Sequence, residues 1–190
     1  MQIPPGETET LIREIAAGRE SALVRLIAVL GPGLARYAGR VLGSAADGDE
    51  VAQDVFVRIW REAGRFDPAR GSVQAWAYRI ATNLCIDRQR RARVRRFLGL
   101  GAGAGAGAEA AGEVADVAAG PERRLAGRER LAAVRQALDA LPARQRMALL
   151  LAAVADFSGA EIASIMGVSR GSAEQLLVRA RSGLRARLGE

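Results

Sequence analysis

A fourteen-residue stretch with almost nothing to bury divides this chain and constrains everything else about it. Gly99–Gly112 reads GLGAGAGAGAEAAG. Alternating glycines raise the entropic cost of ordering, and alanines return little apolar area, so a flexible coil is expected here. The weakly acidic continuation Glu113–Pro121 belongs to the same linker. A phosphate-cradling glycine loop would need a strand before it and a helix opening on Lys-Ser/Thr after it, and the flanking residues supply neither. The chain is therefore read as two small domains, residues 1–97 and 122–190, joined by a linker over 98–121.

Both halves carry helical periodicity, and no alternating run suggests a strand. Thr10–Ile15, Ala22–Leu30 and Leu34–Leu42 space their apolar residues by three and four, with Gly31, Pro32 and Gly43 as punctuation. Asp47 is expected to cap the next helix, with Glu50 completing a capping box. Val51, Val55 and Ile59 form its stripe, Phe56 and Trp60 lie beside it, and it ends near Gly64. Ser72 caps a helix with Trp76, Ile80 and Leu84 as its core face. In the second half, Pro121 opens a helix through Leu125, Leu131, Val134, Leu138 and Leu141. Ala143–Ala155 follows, then a short helix from Ser158 to Met166 and a last one from Ser169 to about Leu188. The expected fold class is all-α: a helical bundle, then a helix-turn-helix domain.

Charge narrows the partners. The chain has 28 basic residues against 21 acidic ones, every basic residue is arginine, the net charge is +7 and the sequence pI is about 11.1. Such a balance points to a polyanion, either nucleic acid or an anionic membrane surface. Histidine is absent and Cys85 is the only cysteine, which removes His-dependent catalysis, Cys/His zinc sites and any intrachain disulfide. The start of the chain, with Pro4 and Pro5, lacks the basic and apolar regions of a signal peptide. The longest apolar run, Met147–Ala155, is far short of the ~20 residues of a membrane span. A cytoplasmic protein without direct membrane insertion is the expectation.

Four stretches carry candidate chemistry. Gly159–Leu176 has the layout of a helix-turn-helix, with Ile162 and Ala163 inward, Gly167 at the turn, and Ala173 and Leu177 fixing the second helix. That helix would enter a major groove with Ser169, Arg170, Ser172, Glu174, Gln175 and Arg179; a plain helix pair is the alternative. Asp87–Arg96, DRQRRARVRR, is too one-sided for a solvated helix end and suits phosphates, with Arg88 and Arg91 among its contacts. Upstream, Trp76, Arg79 and Asn83 offer a ring and hydrogen-bonding groups to unstacked bases, although core packing accounts equally well for Trp76. Asp47, Asp49, Glu50 and Asp54 cluster at one helix start, where the macrodipole favours anions. Paired carboxylates can serve acid–base catalysis or Mg²⁺, but no nucleophile or phosphate cradle accompanies them, so no catalytic residue, metal or cofactor is assigned.

DEVAQDVFVRIWREAGRFDPARGSVQAWAYRIATNLCIDRQRR (Asp49–Arg91) resembles the second region of bacterial RNA polymerase sigma factors of the extracytoplasmic-function type, and ALDALPARQRMALLLAAVADFSGAEIASIMGVS (Ala137–Ser169) resembles their fourth. The resemblance covers nearly the whole chain. It implies a non-enzymatic initiation factor whose Asp49–Trp60 helix docks on the β′ clamp helices of core polymerase, with Asp49, Glu50, Gln53, Asp54 and Arg58 as contacts. Trp76, Arg79, Asn83, Arg88 and Arg91 would then recognise and open the −10 element. The last helix would read the −35 duplex while its domain rests on the β flap, and an anti-sigma factor would control the whole. One departure stands out. Many relatives open the recognition helix with Thr-Val-Lys-Ser-Arg, whereas this chain has Ser172, Ala173, Glu174, Gln175 and Leu176. Glu174 could accept from a cytosine amino group and Gln175 could pair an adenine. A free-standing helix-turn-helix regulator and an enzyme built on the acidic cluster are the competing readings.

Overall fold

The computed structural model describes residues 6–99 and 121–189, and among these every regular element is a helix. The Gly/Ala stretch lies outside the described residues, as does the side chain of Leu125.

Helix α1 (Glu7–Ala16) buries Leu11, Ile12 and Ile15. Helix α2 (Glu20–Leu42) runs unbroken through Gly31 and Pro32, where the spacing predicts two shorter helices. Proline in a helix interior removes a donor and costs ~3 kcal/mol. Continuity survives because Leu26, Leu30, Leu34, Tyr37 and Val41 stay in phase on one buried stripe. By length and hydropathy α2 could cross a membrane, but that stripe packs against α1, α3, α4 and α6.

Helix α3 (Ala45–Glu62) starts earlier than expected. Ser44 is its cap, its Oγ accepting from the Asp47 N–H at 3.2 Å, so Asp47 lies in the first turn. Gly39 and Gly48 let α2 and α3 cross closely: a β-carbon on Gly48 would stand 2.5 Å from the Ala35 carbonyl oxygen. Two 3₁₀ turns, Ala63–Arg65 and Pro68–Arg70, lead to α4 (Val73–Phe97), capped by Ser72 as expected. The buried face of α4 is Val73, Ala77, Ile80, Ala81 and Cys85, with Trp76 and Leu84 half-buried on its flank rather than at its centre. A buried chain of hydroxyls ties α2 to α4. Thr82 donates to the Tyr78 carbonyl at 2.8 Å, which leaves Tyr37 to donate to Thr82 at 2.9 Å.

The second half comprises α5 (Pro121–Asp139), α6 (Ala143–Ala155), α7 (Gly159–Met166) and α8 (Arg170–Leu188). Asp156 ends α6 in the left-handed region at φ 56°, and Gly167 does the same for α7 at φ 63°. Leu138, Leu141 and Ala180 form a small separate core. Leu131, expected on the apolar stripe of α5, is 45% exposed. The main core is continuous across both halves: α6 packs on α2 and α7 on α4. Tyr78 stands edge-on to Phe157 with centroids 5.2 Å apart, and Gln74 donates to the Ala155 carbonyl at 3.5 Å.

Candidate nucleic-acid interface

The turn between α3 and α4 and the exposed flank of α4 frame a groove of about 280 Å³. Trp76 lies on it, half-buried, its ring 5.4 Å from that of Phe66. Arg79 and Asn83 follow one and two turns on, both exposed. An indole face, an amide and guanidinium groups together can stack a base, bond its edge and hold its phosphate. Arg65 and Arg70 join this rim from the 3₁₀ turns. Arg70 lies in the Phe66–Ser72 loop, which the family resemblance assigns to opening the −10 element, whereas Arg65, just before that loop, was missed. Arg90, two turns beyond Asn83 and exposed, continues the same face. Arg58, expected to dock polymerase, also opens onto this groove and pairs with Glu62 at 3.1 Å. The opposite wall comes from the second half, through Ser164 and Ile165 of α7.

Arg88 is elsewhere. Its guanidinium turns to the other side of α4 and bonds Glu50 and Asp54, each at 2.9 Å, with Asp47 at 3.7 Å. Burial alone would lower the pKa of Arg88, but the hydrogen bonds it donates to the Glu50 and Asp54 carboxylates, with their charge, outweigh it and hold the group above its ordinary value. Arg88, expected among the −10 contacts, thus lies against three carboxylates of α3 and not on the Trp76 groove. Three of the four clustered carboxylates, Asp47, Glu50 and Asp54, converge on a cation the chain itself supplies. Arg91 faces the cleft beside this cluster, shared with Arg95 and with Arg146 of α6, rather than the Trp76 groove.

The expected docking residues are thus divided. Glu50 and Asp54 meet Arg88, whereas Asp49 and Gln53 line a broad groove of about 1160 Å³ between α2 and α3. Its floor is apolar, with Phe56 buried and Val24, Val57 and Trp60 exposed by 65%, 49% and 37%. Contiguous exposed apolar surface of this kind marks a protein interface. The signal for it was Trp60, one turn beyond Phe56 and beside the buried stripe.

Helices α7 and α8 form the helix-turn-helix. Ser158 and Glu161 complete the capping box, the Ser158 N–H donating to Glu161 at 2.9 Å. Ile162 and Ala163 of α7 and Ala173 and Leu177 of α8 are buried between them. Ser169 caps α8, accepting from the Ser172 N–H at 3.2 Å, and the two hydroxyls stand 2.8 Å apart. Arg170, Glu174, Gln175 and Arg179 are exposed, together with Val178, an apolar side chain on the same face that the sequence reading left out. Arg170 donates through Nε to Glu174 at 2.9 Å.

Known proteins share this arrangement. Residues 26–95 match the family model described as Sigma-70 region 2, and residues 131–184 match Sigma-70, region 4. The RNA polymerase sigma factor CnrH of Cupriavidus metallidurans is 36% identical over 97% of this chain and 96% of its own length. NccH, another RNA polymerase sigma factor, from Alcaligenes xylosoxydans xylosoxydans, is 32% identical over 97% and 96%. The structure of CnrH in complex with the cytosolic domain of CnrY superposes with a TM-score of 0.68, at 29% identity and covering 96% of this chain and 97% of that one. RpoE from Bartonella quintana, solved with the anti-sigma factor NepR, shares the fold with a TM-score of 0.69 at 22% identity, covering 87% of this chain and 95% of that one.

Proposed function

Since this chain belongs to the bacterial RNA polymerase sigma factors of the extracytoplasmic-function type, we propose that its two halves divide promoter recognition between strand opening and duplex reading. The observation that carries this division is the pair of unlike surfaces: a groove of Trp76, Arg79 and Asn83 suited to unstacked bases, and a helix-turn-helix whose α8 face suits a major groove. Residues 1–97 serve as the docking and −10 domain, 122–190 as the −35 domain, and 98–121 as the linker between them.

Trp76 stacks a flipped base, Asn83 bonds its edge, and Arg79 with Arg65 and Arg70 holds the backbone. Docking on the β′ clamp helices uses the apolar α2–α3 groove with Asp49 and Gln53 at its edge, while the second half rests on the β flap. The factor itself makes and breaks no bonds, since chemistry belongs to the core enzyme, and it acts in the cytoplasm where that enzyme works. An anti-sigma factor restrains it by binding the packed arrangement of halves. The reading is supported by the fold shared with CnrH, solved bound to the cytosolic domain of CnrY, and with RpoE, solved with the anti-sigma factor NepR.

The test is transcription with purified core polymerase on a promoter library, followed by two variants. Asn83→Ala impairs opening at the −10 element, and Arg170→Ala weakens the closed complex on the −35 duplex, each by roughly ten- to hundred-fold. A template with a pre-melted −10 bubble rescues the opening component of Asn83→Ala and leaves Arg170→Ala weak. Equal rescue of both, or of neither, defeats the division.

A further inference from the structure

Helix α8 departs from its family where it would meet bases, and the geometry there has a use. Arg170 and Glu174 stand one turn apart on the exposed face, side chains 76% and 55% exposed, with Arg170 Nε 2.9 Å from Glu174 Oε1. An ion pair this exposed contributes little to folding. Its effect is on what the guanidinium still offers. With Nε engaged, the two terminal nitrogens point outward as a planar pair of donors. That fork matches the O6 and N7 acceptors of guanine, whereas a mobile arginine settles equally well on any nearby phosphate. The stem of Glu174 runs near the start of α7, where a β-carbon placed on Gly159 would stand 3.9 Å from Glu174 Cγ.

We propose that Arg170 and Glu174 act as one unit that selects a guanine in the −35 element: Arg170 bonds the base, and Glu174 orients Arg170 without touching DNA. This rests on the reading of α8 as the −35 helix and revises the role first considered for Glu174, direct acceptance from cytosine. Glu174 is a positioning and specificity-determining residue. A carboxylate placed beside DNA phosphates lowers total affinity; what it returns is discrimination, because an Arg170 held in one geometry loses its alternative partners.

The experiment uses the full chain assembled with core polymerase on promoters randomised across the −35 region, with Arg170→Ala, Glu174→Ala, Glu174→Gln and the Arg170→Ala/Glu174→Ala double variant. Both single alanine variants are expected to lose preference for guanine at the same base pair, by roughly ten-fold. The double variant should be no worse than Arg170→Ala, and Glu174→Gln, whose amide oxygen still accepts from Nε, should keep most of the preference. The proposal is overturned if Glu174→Ala alters a different base pair, strengthens all sequences equally, or changes nothing while Arg170→Ala does. A flat response from every variant, Arg170→Ala included, would remove the −35 reading of α8 itself. Thermal melting of each variant confirms that the exposed substitutions leave the fold intact.

Discussion

Arg88 of α4 holds the Asp54 carboxylate of α3 at 2.9 Å, joining across two helices a pair that lie 34 positions apart in the chain. The carboxylates around Arg88 are more than half exposed. Each pair is therefore worth about 1 kcal/mol or less after solvent screening.

That relationship sharpens a test of docking. Asp54→Arg sets two guanidinium groups against each other and is expected to cost about 1 kcal/mol of stability. The swapped double variant, Asp54→Arg with Arg88→Asp, should recover only part of the melting temperature, because the new aspartate also faces Glu50 and Asp47. Binding to core polymerase should remain weak in the swap if the carboxylate at position 54 is itself a contact. Recovery of binding in step with that partial recovery of stability would make the pair a helix clamp and nothing more.

Gly48 and Gly127 predict opposite outcomes for one substitution. A β-carbon on Gly48 would stand 2.5 Å from the Ala35 carbonyl oxygen and 2.7 Å from the Gly39 nitrogen, both backbone atoms that cannot move aside cheaply. Gly48→Ala should therefore destabilise by about 1–3 kcal/mol or more by prising α2 from α3. Among the described residues, a β-carbon on Gly127, inside α5, would meet nothing within 4 Å, and Gly127→Ala should stabilise by about 0.5–1 kcal/mol. Urea unfolding of both variants checks the contrast.

The contact of Tyr78 with Phe157 joins the halves, and it is on this junction that Ser164 and Ile165 of α7 come to wall the Trp76 groove. Phe157→Ala removes a 7%-exposed aromatic residue from that junction, and loss of a buried phenylalanine costs about 3–5 kcal/mol. The expected result is a larger radius of gyration by solution scattering with helix content retained, and easier access of unpaired DNA to the groove. Cooperative loss of all helix, with no expanded helical state, would mean the halves fold as one unit.

Alkali should loosen the first half. Burial raises the Cys85 thiol from 9.0 to about 12 and the Tyr78 hydroxyl from 10.0 to about 12, and it raises Tyr37 as well. All three are neutral in the fold and ionise more readily once unfolded. Their contribution is fully present below about pH 9 and is lost as pH climbs toward 12. Melting temperatures taken upward from neutral pH should fall over that window, and Cys85→Ala should remove the earliest part of the fall. Folded protein should also react slowly with thiol reagents, since Cys85 is fully buried.

The sequence by itself determined the helices and the surfaces that depend on a single helix. Apolar spacing, Ser72, Ser158, Ser169 and Gly167 specify local hydrogen bonds and turn geometry, so α7, its turn and α8 are legible without any partner. The order of motifs likewise carried the family. What only the tertiary structure decided is the direction each long side chain takes. Arg88 and Asn83 sit on one basic helix, yet only α3 packing beside α4 turns Arg88 onto Asp54 and leaves Asn83 beside Trp76. Pro32 reads as a break, and only the buried stripe from Leu26 to Val41 carries α2 through it. The junction of Tyr78 with Phe157 had no signal at all. Contacts within one helix are fixed by neighbours three and four residues away, whereas an arginine's partner and an aromatic's neighbour depend on which helices the core brings together.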